Sequence, residues 1–305
     1  MKKINLKVKL GQRIILKNPV VLESGCFGYG EEYRDLIDIN RVGAIVTKTI
    51  TLKPRAGNLP PRLVETAAGL LNSIGLANVG IELFLKEKLP YLKKFSTPVI
   101  VSIAGEGSEE YLKLVQILNK EKIAGIELNI SCPNIKKNLV IAQDEVETFN
   151  LVKAVRKKTE LPLLVKLSPN VTDITRIAKS AEKAGADILS LVNTFSAMGI
   201  DSETGSPRLG GVVGGLSGPA IKPIALRMVW QVRKATSLPI IGAGGILSCN
   251  DALEFIIAGA NAVGLGTAIF VNPHAYQEII TGLKKYLFRK AIYDVNELVG
   301  SLHEN

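Results

Sequence analysis

The sequence predicts an α/β fold, a closed (β/α)8 TIM barrel with long active-site loop insertions at the C-terminal face, and two observations lead to that prediction. Short apolar runs without alternation recur along the 305 residues, which is typical of parallel strands that are covered on both faces. Amphipathic helical patterns separate these runs, so that about eight strand–helix units follow one another. Because barrels of this length usually form one domain, residues 1–305 are predicted to be a single domain.

The apolar runs are of strand length and rich in Val, Ile and Leu. They are PVVLES from Pro19, GAIVTK from Gly43, PVIVSI from Pro98, GIELNI from Gly125, PLLVKL from Pro162, DILSLVN from Asp187, PIIGAGG from Pro239 and NAVGLG from Asn261. A doubly wound open sheet is the alternative fold. It is disfavoured because no G-x-G-x-x-G motif follows any of these runs.

Helical patterns fill the segments between the strands. They are expected to begin near Glu31, Glu82, Ser108, Asp144, Asp173, Gly218, Asn250 and Pro273. In the segment after the fifth strand, Asp173 is the predicted N-cap and Gly185 the predicted end. Apolar residues between them recur at helical spacing, which predicts a helix with one buried face.

Three further segments lie outside the strand–helix alternation. Residues 1–17 are predicted to form strands or a hairpin that caps the barrel. Two long insertions, at about residues 49–80 and 194–218, follow predicted strand ends. Loops of this length in a compact domain usually bind ligands, and barrel enzymes keep their chemistry at the ends of the strands.

The composition disfavours several classes of function. Aromatic residues make up only 5% of the chain, too few for the stacked rings that bind single-stranded nucleic acid. The net charge of +10 is scattered, which is typical of a solvated basic surface and is compatible with an anionic small molecule. With His274 and His303 as the only histidines, a histidine-based zinc site or a Ser-His-Asp triad is disfavoured.

The cysteines and the apolar runs predict where the protein works. Cys26, Cys132 and Cys249 cannot all pair and form no C-x-x-C motif, so a reducing, cytoplasmic location is predicted. The first ten residues have no long apolar core, which predicts no signal peptide. Since every apolar run is too short to span a bilayer, a membrane is not an expected partner. A nucleic acid is not expected either, because the chain has few aromatic residues.

Polar residues cluster where the predicted strands end. They are Ser24, Lys48, Ser102, Asn129, Lys166 and Asn193. A buried lysine is costly unless an anion or an acceptor meets it. Either lysine alone could extend to solvent, but two lysines and two asparagines in one barrel mouth predict a bound, electron-rich ligand.

The last two strands are followed by glycine-rich segments, GAGGI and GLGTAIF, the second containing Thr267. Barrels often bind phosphate in these two loops, because glycine lets backbone N–H groups approach the oxygens. Each segment alone could be an ordinary turn. Together they predict a ligand that carries phosphate.

Cys132 differs from the other two cysteines, for which a role as core filler is the simpler interpretation. It follows a predicted strand end and stands between Asn129 and Asn134, so its thiol is placed to contact a substrate. A thiol can serve as a general base once its neighbours assist it. Without a histidine partner, proton abstraction is favoured over acyl transfer, and the residues alone predict a barrel enzyme with a phosphate-bearing cofactor.

Several motifs resemble those of dihydroorotate dehydrogenases. They are ELNISCPN from Glu127, VKLSPN from Val165, SGCFGYGEEY from Ser24, NSIGLANVG from Asn72, GGLSGPAIKP from Gly214 and IGAGGI from Ile241. The resemblance covers nearly the whole chain. It implies a barrel with one FMN per chain that oxidises dihydroorotate to orotate in pyrimidine (UMP) biosynthesis.

The resemblance also implies a subtype. A cysteine at position 132 resembles the base of class 1 enzymes. The motifs SGCFGYG and SGPAIKP resemble those of the class 1B catalytic subunit. In that class, electrons leave FMN through a partner subunit that carries FAD and a [2Fe–2S] cluster, and they reach NAD. A homodimer with two such partners, a heterotetramer, is therefore the expected assembly.

Roles follow for the residues that match the motifs. Cys132 would remove the C5 proton, while the C6 hydride passes to FMN. The expected substrate-binding residues are Lys48, Asn72, Ser73, Ile74, Gly75, Leu76, Asn129, Asn193 and Thr194. The expected FMN-binding residues are Ser24, Gly25, Lys48, Thr49, Ser102, Asn129, Lys166, Val192, Gly218, Gly244, Gly245, Gly266 and Thr267, with Lys166 near the flavin N1–C2=O edge and no metal site.

Three alternatives remain open at this point. One is the fumarate-dependent class 1A enzyme, because the segment VSIAG, which contains Ser102, is more similar to class 1A sequences than to class 1B sequences. Another is a dihydropyrimidine dehydrogenase-like flavoprotein, which Lys48 disfavours because a carboxylate-bearing substrate needs a cation. The third is a flavin- or phosphate-binding barrel without catalysis, which the joint presence of all the candidate polar residues disfavours.

Overall fold

The computed structural model describes residues 4–131, 133–134 and 139–304, with the backbone alone at 133, 134, 139 and 140. Eight parallel strands form a closed barrel, so the predicted fold class is confirmed. We label them β1 (Val20–Leu22), β2 (Ala44–Val46), β3 (Val99–Ile103), β4 (Gly125–Asn129), β5 (Leu163–Lys166), β6 (Ile188–Leu191), β7 (Ile240–Ala243) and β8 (Ala262–Leu265). Each predicted apolar run supplies one of them.

The barrel closes where β8 pairs with β1, with Val263 opposite Val20 and Gly264 opposite Val21. Every strand in the ring is buried, as expected for parallel strands covered by helices outside and by side chains inside. The order around the ring follows the chain, so β5 lies opposite β1. This arrangement brings all eight strand ends to one rim.

Helices surround the barrel. They are α1 (Gly80–Leu83), α2 (Leu89–Leu92), α3 (Ser108–Leu118), α4 (Glu145–Arg156), α5 (Ile174–Lys183), α6 (Lys222–Ala235), α7 (Cys249–Ala258), α8 (Ala268–Val271) and α9 (Ala275–Arg289), with a π-helical turn at Phe84–Lys88 between α1 and α2. Short 3-10 turns occupy Ile141–Gln143, Pro219–Ile221 and Val295–Leu298. The Asp173 side chain accepts a hydrogen bond from Thr175 N at 2.9 Å and caps α5, as predicted.

The prediction of a helix that begins near Glu31 is wrong. That segment contains two 3-10 turns, Glu31–Tyr33 and Ile39–Arg41. Gly30, the residue before the first turn, has a φ of 87°, a left-handed conformation that glycine adopts readily in tight turns. Asp38 then caps the second turn by accepting from Asn40 N at 3.0 Å, so the connection is made of turns.

A hairpin of Val8–Leu10 and Ile14–Leu16 lies at the N-terminal end of the barrel. A Cβ on Gly11, at its tip, would lie 3.7 Å from Asp187 O, just before β6. The buried residues of the hairpin alternate with exposed ones. Its apolar side thus packs against the end of the barrel that is opposite the strand C-termini.

The two long insertions join in one antiparallel sheet over the other end. Its strands are ordered Leu63–Thr66, Gly69–Asn72, Gly214–Ser217 and Phe195–Ala197. The Asn72 side chain donates to Gly215 O at 3.0 Å and ties the first insertion to the second. We call this element the roof sheet. The remaining strands form two short antiparallel pairs. They are Pro133–Asn134 with Leu139–Val140 and Ile200–Asp201 with Ser206–Pro207.

Among the described residues, the helices are all too short or too polar to cross a lipid bilayer.

Candidate active site

A cavity of about 750 Å³ lies between the C-terminal ends of the barrel strands and the roof sheet. This volume lies within the range usual for sites that bind a cofactor or a small substrate. Its wall contains backbone from glycine-rich loops and polar side chains from the strand ends. The structure therefore places a ligand-sized space at the face where the sequence predicts chemistry.

Most of the predicted site residues line this cavity. They are Ser24, Gly25, Lys48, Thr49, Asn72, Ser73, Ile74, Gly75, Leu76, Asn129, Lys166, Val192, Asn193, Thr194, Gly218, Gly244, Gly245, Gly266 and Thr267. Their individual roles remain predictions. Of the two others, Ser102 lies behind the wall, and Cys132 lies outside the described residues.

Ser102 is completely buried, and its hydroxyl lies 3.0 Å from the Thr49 hydroxyl. Thr49 Oγ1 also accepts a hydrogen bond from Asn129 Nδ2 at 3.1 Å. The side chain of Asn193 reaches Asn129 Oδ1 at 3.5 Å. Ser102 thus supports Thr49 from behind, and a chain of polar contacts orients the two asparagines toward the cavity.

Lys48 is the half-buried cation of the cavity mouth. Its ammonium has no hydrogen-bond or ion-pair partner among the residues described. Burial lowers the pKa of Lys48 against the opposing effect of Glu32, and Arg62 lowers it further. A partly desolvated cation without a partner is favourable only if an anion binds there.

The segment Ser73–Leu76 presents backbone groups to the same space. Gly75 and Leu76 both have left-handed φ values, 66° and 55°, and for leucine that conformation is strained. The amides of Ile74, Gly75 and Leu76 donate to no acceptor in the described part of the chain. Unpaired N–H groups at a cavity wall are suited to a ligand with carbonyl or carboxylate oxygens.

The loops after β7 and β8 also carry unpaired amides. Within the described residues, the N–H groups of Gly245, Gly266 and Thr267 have no acceptor. Gly245 has a φ of 73°, and a Cβ there would lie 2.7 Å from Gly218 O, so a side chain is excluded. Thr267 Oγ1 donates to Ser217 Oγ at 2.8 Å or accepts from it. These donors and this tight backbone fit a phosphate group.

The floor of the cavity carries a buried ion pair. Lys166, at the end of β5, pairs with Glu23, the residue after β1, and the two side chains are 7% and 6% exposed. Burial lowers the pKa of Lys166, but the carboxyl groups of Glu23 and Glu127 outweigh burial, so that the pKa is raised. Lys166 is therefore protonated and already has a counterion, unlike Lys48.

Glu127 lies on β4 two residues before Asn129, on the same face of the strand and one layer deeper in the barrel. It is completely buried. Burial raises the pKa of Glu127 against the opposing effect of Lys166. Neither carboxyl oxygen has a partner within hydrogen-bonding distance among the described residues, although the nearby hydroxyls of Ser102 and Ser190 oppose the rise of its pKa.

The two described cysteines are free thiols. Burial, followed by the charge of Glu23, raises the pKa of Cys26 to about 12, and burial also raises the pKa of Cys249. Neither thiol is available as a base near neutral pH. Ser131, the neighbour of Cys132, lines the cavity.

Several wall residues were not singled out from the sequence, namely Glu23, Arg55, Asn58, Ser131, Gln143, Ser168, Asn170, Ser196 and Ser217. Asn170 is the clearest case, since its side chain donates to Thr194 O at 3.1 Å and accepts from Ser196 N at 2.8 Å. It follows Lys166 within the VKLSPN motif. Asn170 could therefore have been recognised from the sequence by its position, four residues after the strand-end Lys166.

The sequence matches the family model for dihydroorotate dehydrogenase over residues 6–287. It is similar to proteins named dihydroorotate dehydrogenase B (NAD(+)), catalytic subunit. The protein from Desulforamulus reducens is 54% identical over 303 residues, 99% of each chain. Those from Geotalea daltonii and Thermoanaerobacter sp. are 52% identical over 304 residues, 99% of each chain, and 49% identical over 300 residues, 98% of this chain and 99% of the relative.

Proposed function

The chain belongs to the dihydroorotate dehydrogenase family, and we propose that it is the catalytic subunit of an NAD-linked enzyme that oxidises dihydroorotate to orotate in pyrimidine biosynthesis. The observation that carries this proposal is that Lys48, whose ammonium has no partner among the described residues, lines one cavity with Asn72, Asn129 and Asn193. A cation is needed for the carboxylate of dihydroorotate, and amides match its ring N–H and C=O groups. The amides from Ile74 to Leu76, which have no acceptor among the described residues, add donors for the same oxygens.

The class 1A and dihydropyrimidine dehydrogenase-like alternatives are disfavoured. Relatives that are 49% to 54% identical over nearly the whole chain are named as NAD-linked catalytic subunits. A dihydropyrimidine without a carboxylate would leave Lys48 partly buried and unpaired, which is costly. A substrate that bears a carboxylate is therefore favoured.

The residues around the cavity fit FMN. Gly218, Gly244, Gly245, Gly266 and Thr267 would hold its phosphate through backbone N–H groups and the close approach that glycine allows. Ser24, Gly25, Thr49 and Val192 would line the ring, with Ser102 acting through Thr49, and Lys166 would lie near its N1–C2=O edge. When bound, FMN supplies the acceptor for the hydride that leaves C6 of the substrate.

The chain's own residues do the rest of the chemistry. Lys48, Asn72, Asn129, Asn193 and Thr194 bind and orient the substrate, and the roof sheet limits the access of water. Cys132 removes the C5 proton as general base. Its neighbour Ser131 lines the cavity, which supports a place for the thiol at the substrate.

A partner subunit belongs to the proposal, because the relatives are named as catalytic subunits. We propose further that this partner carries FAD and a [2Fe–2S] cluster, and that two copies of each chain form a heterotetramer around a homodimer. A cytoplasmic location is supported by the free thiols of Cys26 and Cys249.

The test compares Cys132→Ala with a matched variant, Cys249→Ala, whose thiol lies outside the cavity wall. We expect Cys132→Ala to keep bound FMN and to lose roughly 10²–10⁴-fold in dihydroorotate oxidation, the usual contribution of a general base. Cys249→Ala should retain activity. Full activity of Cys132→Ala would exclude the role, and faster turnover of dihydrouracil than of dihydroorotate would exclude the substrate.

The partner is tested separately, by capture of the tagged chain from its native cells. Recovery of a second chain with FAD and iron, and with NAD reduction by the complex, is the expected result. A lone chain that reduces fumarate efficiently would contradict this part and would leave the substrate assignment in place.

A further inference from the structure

Glu23 is a buried acid that has no role in the proposed oxidation of dihydroorotate. It continues β1 by one residue, since its N–H donates to Leu265 O at 3.0 Å, and its side chain crosses the barrel to Lys166 on β5. Both residues line the cavity floor. One carboxyl oxygen of Glu23 bonds Lys166, and the other, Oε1, has no partner among the described residues.

The barrel leaves room for this carboxyl group at Gly264 on β8. A Cβ at Gly264 would lie 2.2 Å from Glu23 Oε1 and 2.8 Å from its Cδ. Contacts this short cannot be tolerated, so any side chain at position 264 would displace the Glu23 carboxyl group. Glu23 and Gly264 thus form a built position for one negative charge beside the cavity.

Lys166 has two acidic neighbours, Glu23 and Glu127, but only Glu23 forms an ion pair with it. Glu127 lies deeper, and its oxygens have no partner among the residues described. Glu23 is therefore the counterion of the floor. The pair together adds little net charge to the cavity wall where FMN would bind.

We propose that Glu23 is a positioning residue that fixes the Lys166 ammonium and offsets its charge, so that bound FMN has a lower reduction potential than Lys166 alone would give. This inference rests on the proposed function. Oxidation of dihydroorotate moves a hydride from C6 to FMN and releases the C5 proton, so the reduced cofactor gains negative charge. A nearby cation stabilises that charge, and a carboxylate bonded to the cation cancels part of the effect.

The potential matters because FMN must both accept the hydride and pass electrons on. A flavin that is too easily reduced would hold its electrons and slow their transfer toward NAD. By offsetting Lys166, Glu23 favours the second half of the cycle. Lys166 still provides a donor at the flavin edge, since its contact with Glu23 holds it in place.

The test is a redox titration of bound FMN in the purified wild-type chain and in Glu23→Gln. We expect the equilibrium to shift at least tenfold toward reduced flavin in the variant, which is about 30 mV for a two-electron couple. Glu31→Gln is the matched control, because Glu31 belongs to the same connection but pairs with Lys88 outside the cavity. It should shift the equilibrium less than about twofold.

Gly264→Ala provides a second variant that keeps every charge but displaces the Glu23 carboxyl group. It should shift the equilibrium in the same direction and by less. If Glu23→Gln does not fold, Gly264→Ala alone decides. An unchanged or lowered potential in the variants would overturn the inference.

The wild-type chain separates this inference from the function on which it rests. If it binds no FMN or does not oxidise dihydroorotate, the proposed function fails. If it does both and Glu23→Gln has an unchanged potential, only the role of Glu23 fails.

Discussion

The mouth and the floor of the cavity each contain a strand-end lysine, and the two lysines differ in their surroundings. Lys48 at the mouth is half-buried and has no partner among the described residues, and its pKa is lowered. Lys166 at the floor is buried and paired with Glu23, and its pKa is raised. The same residue type at equivalent positions therefore serves two purposes. Lys48 is left for a ligand's charge, whereas the charge of Lys166 is balanced within the protein.

The largest expected effect is on stability at the floor. Lys166→Met should lower the free energy of unfolding by about 3–5 kcal/mol, because Glu23 would stay buried without its cation. Denaturant unfolding of the flavin-free protein at neutral pH measures this change. The double variant Lys166→Met with Glu23→Gln should recover part of the loss. A loss below about 1 kcal/mol would remove the distinction between the two lysines.

The reverse pattern is expected at the mouth. Lys48→Met should lower kcat/KM for dihydroorotate roughly 100-fold, the equivalent of one charge-assisted hydrogen bond. Its free energy of unfolding should change by less than about 1 kcal/mol, because Lys48 forms no ion pair with any residue that the structure describes. Steady-state kinetics and the same denaturant unfolding are the two measurements. Unchanged kinetics would mean that Lys48 does not contact the substrate.

The layer below the floor predicts a pH dependence. The pKa of Glu127 is raised in the folded protein, so its contribution to stability is complete below the ordinary glutamate pKa and is lost as pH rises toward the folded value. Glu127→Gln removes this loss. The variant should gain stability relative to wild type as pH rises above about 4.5, by at most about 1.4 kcal/mol per pH unit.

Denaturant unfolding of both proteins at several pH values checks the Glu127 prediction. At about pH 4 the two should differ least. A stability difference that does not depend on pH would show that Glu127 is ionised in the folded protein.

The smallest effect concerns the binding of orotate to Lys48. Only the protonated lysine attracts a carboxylate, and its lowered pKa means that the proton is lost at lower pH than for an ordinary lysine. Orotate binding should therefore begin to weaken at a lower pH than the titration of an ordinary lysine would give. Lys48→Arg, which stays charged, should show no such change in calorimetric or fluorescence titration. An equal pH dependence in both proteins would assign it to another group.

Much of the barrel was predictable, because each buried strand is a local run of apolar residues and Asp173 caps its helix through neighbours in the chain. The failure near Glu31 is also local. The left-handed Gly30 and the side-chain cap from Asp38 favour tight turns, although the apolar spacing there resembles that of a helix. The periodicity of apolar residues does not report such backbone constraints.

The site was predictable where a residue type and its position in a motif were informative together, as for Lys48 and Asn129. Glu23 was not, since its meaning depends on Lys166 across the barrel and on the missing side chain at Gly264. Each of these is unremarkable in its own segment. The roof sheet was missed as an element for the same reason, because neither insertion predicts its pairing with the other.

The bond between Asn72 and Gly215 joins residues that are 143 positions apart. A ribosome makes the chain from its N-terminus, so Asn72 emerges long before the strand that holds it in place. The roof sheet is therefore completed late in synthesis, after six of the eight barrel strands have been made. A nascent chain that ends before Gly214–Ser217 carries Lys48, Asn72 and Asn129 but lacks the partner strand that covers them.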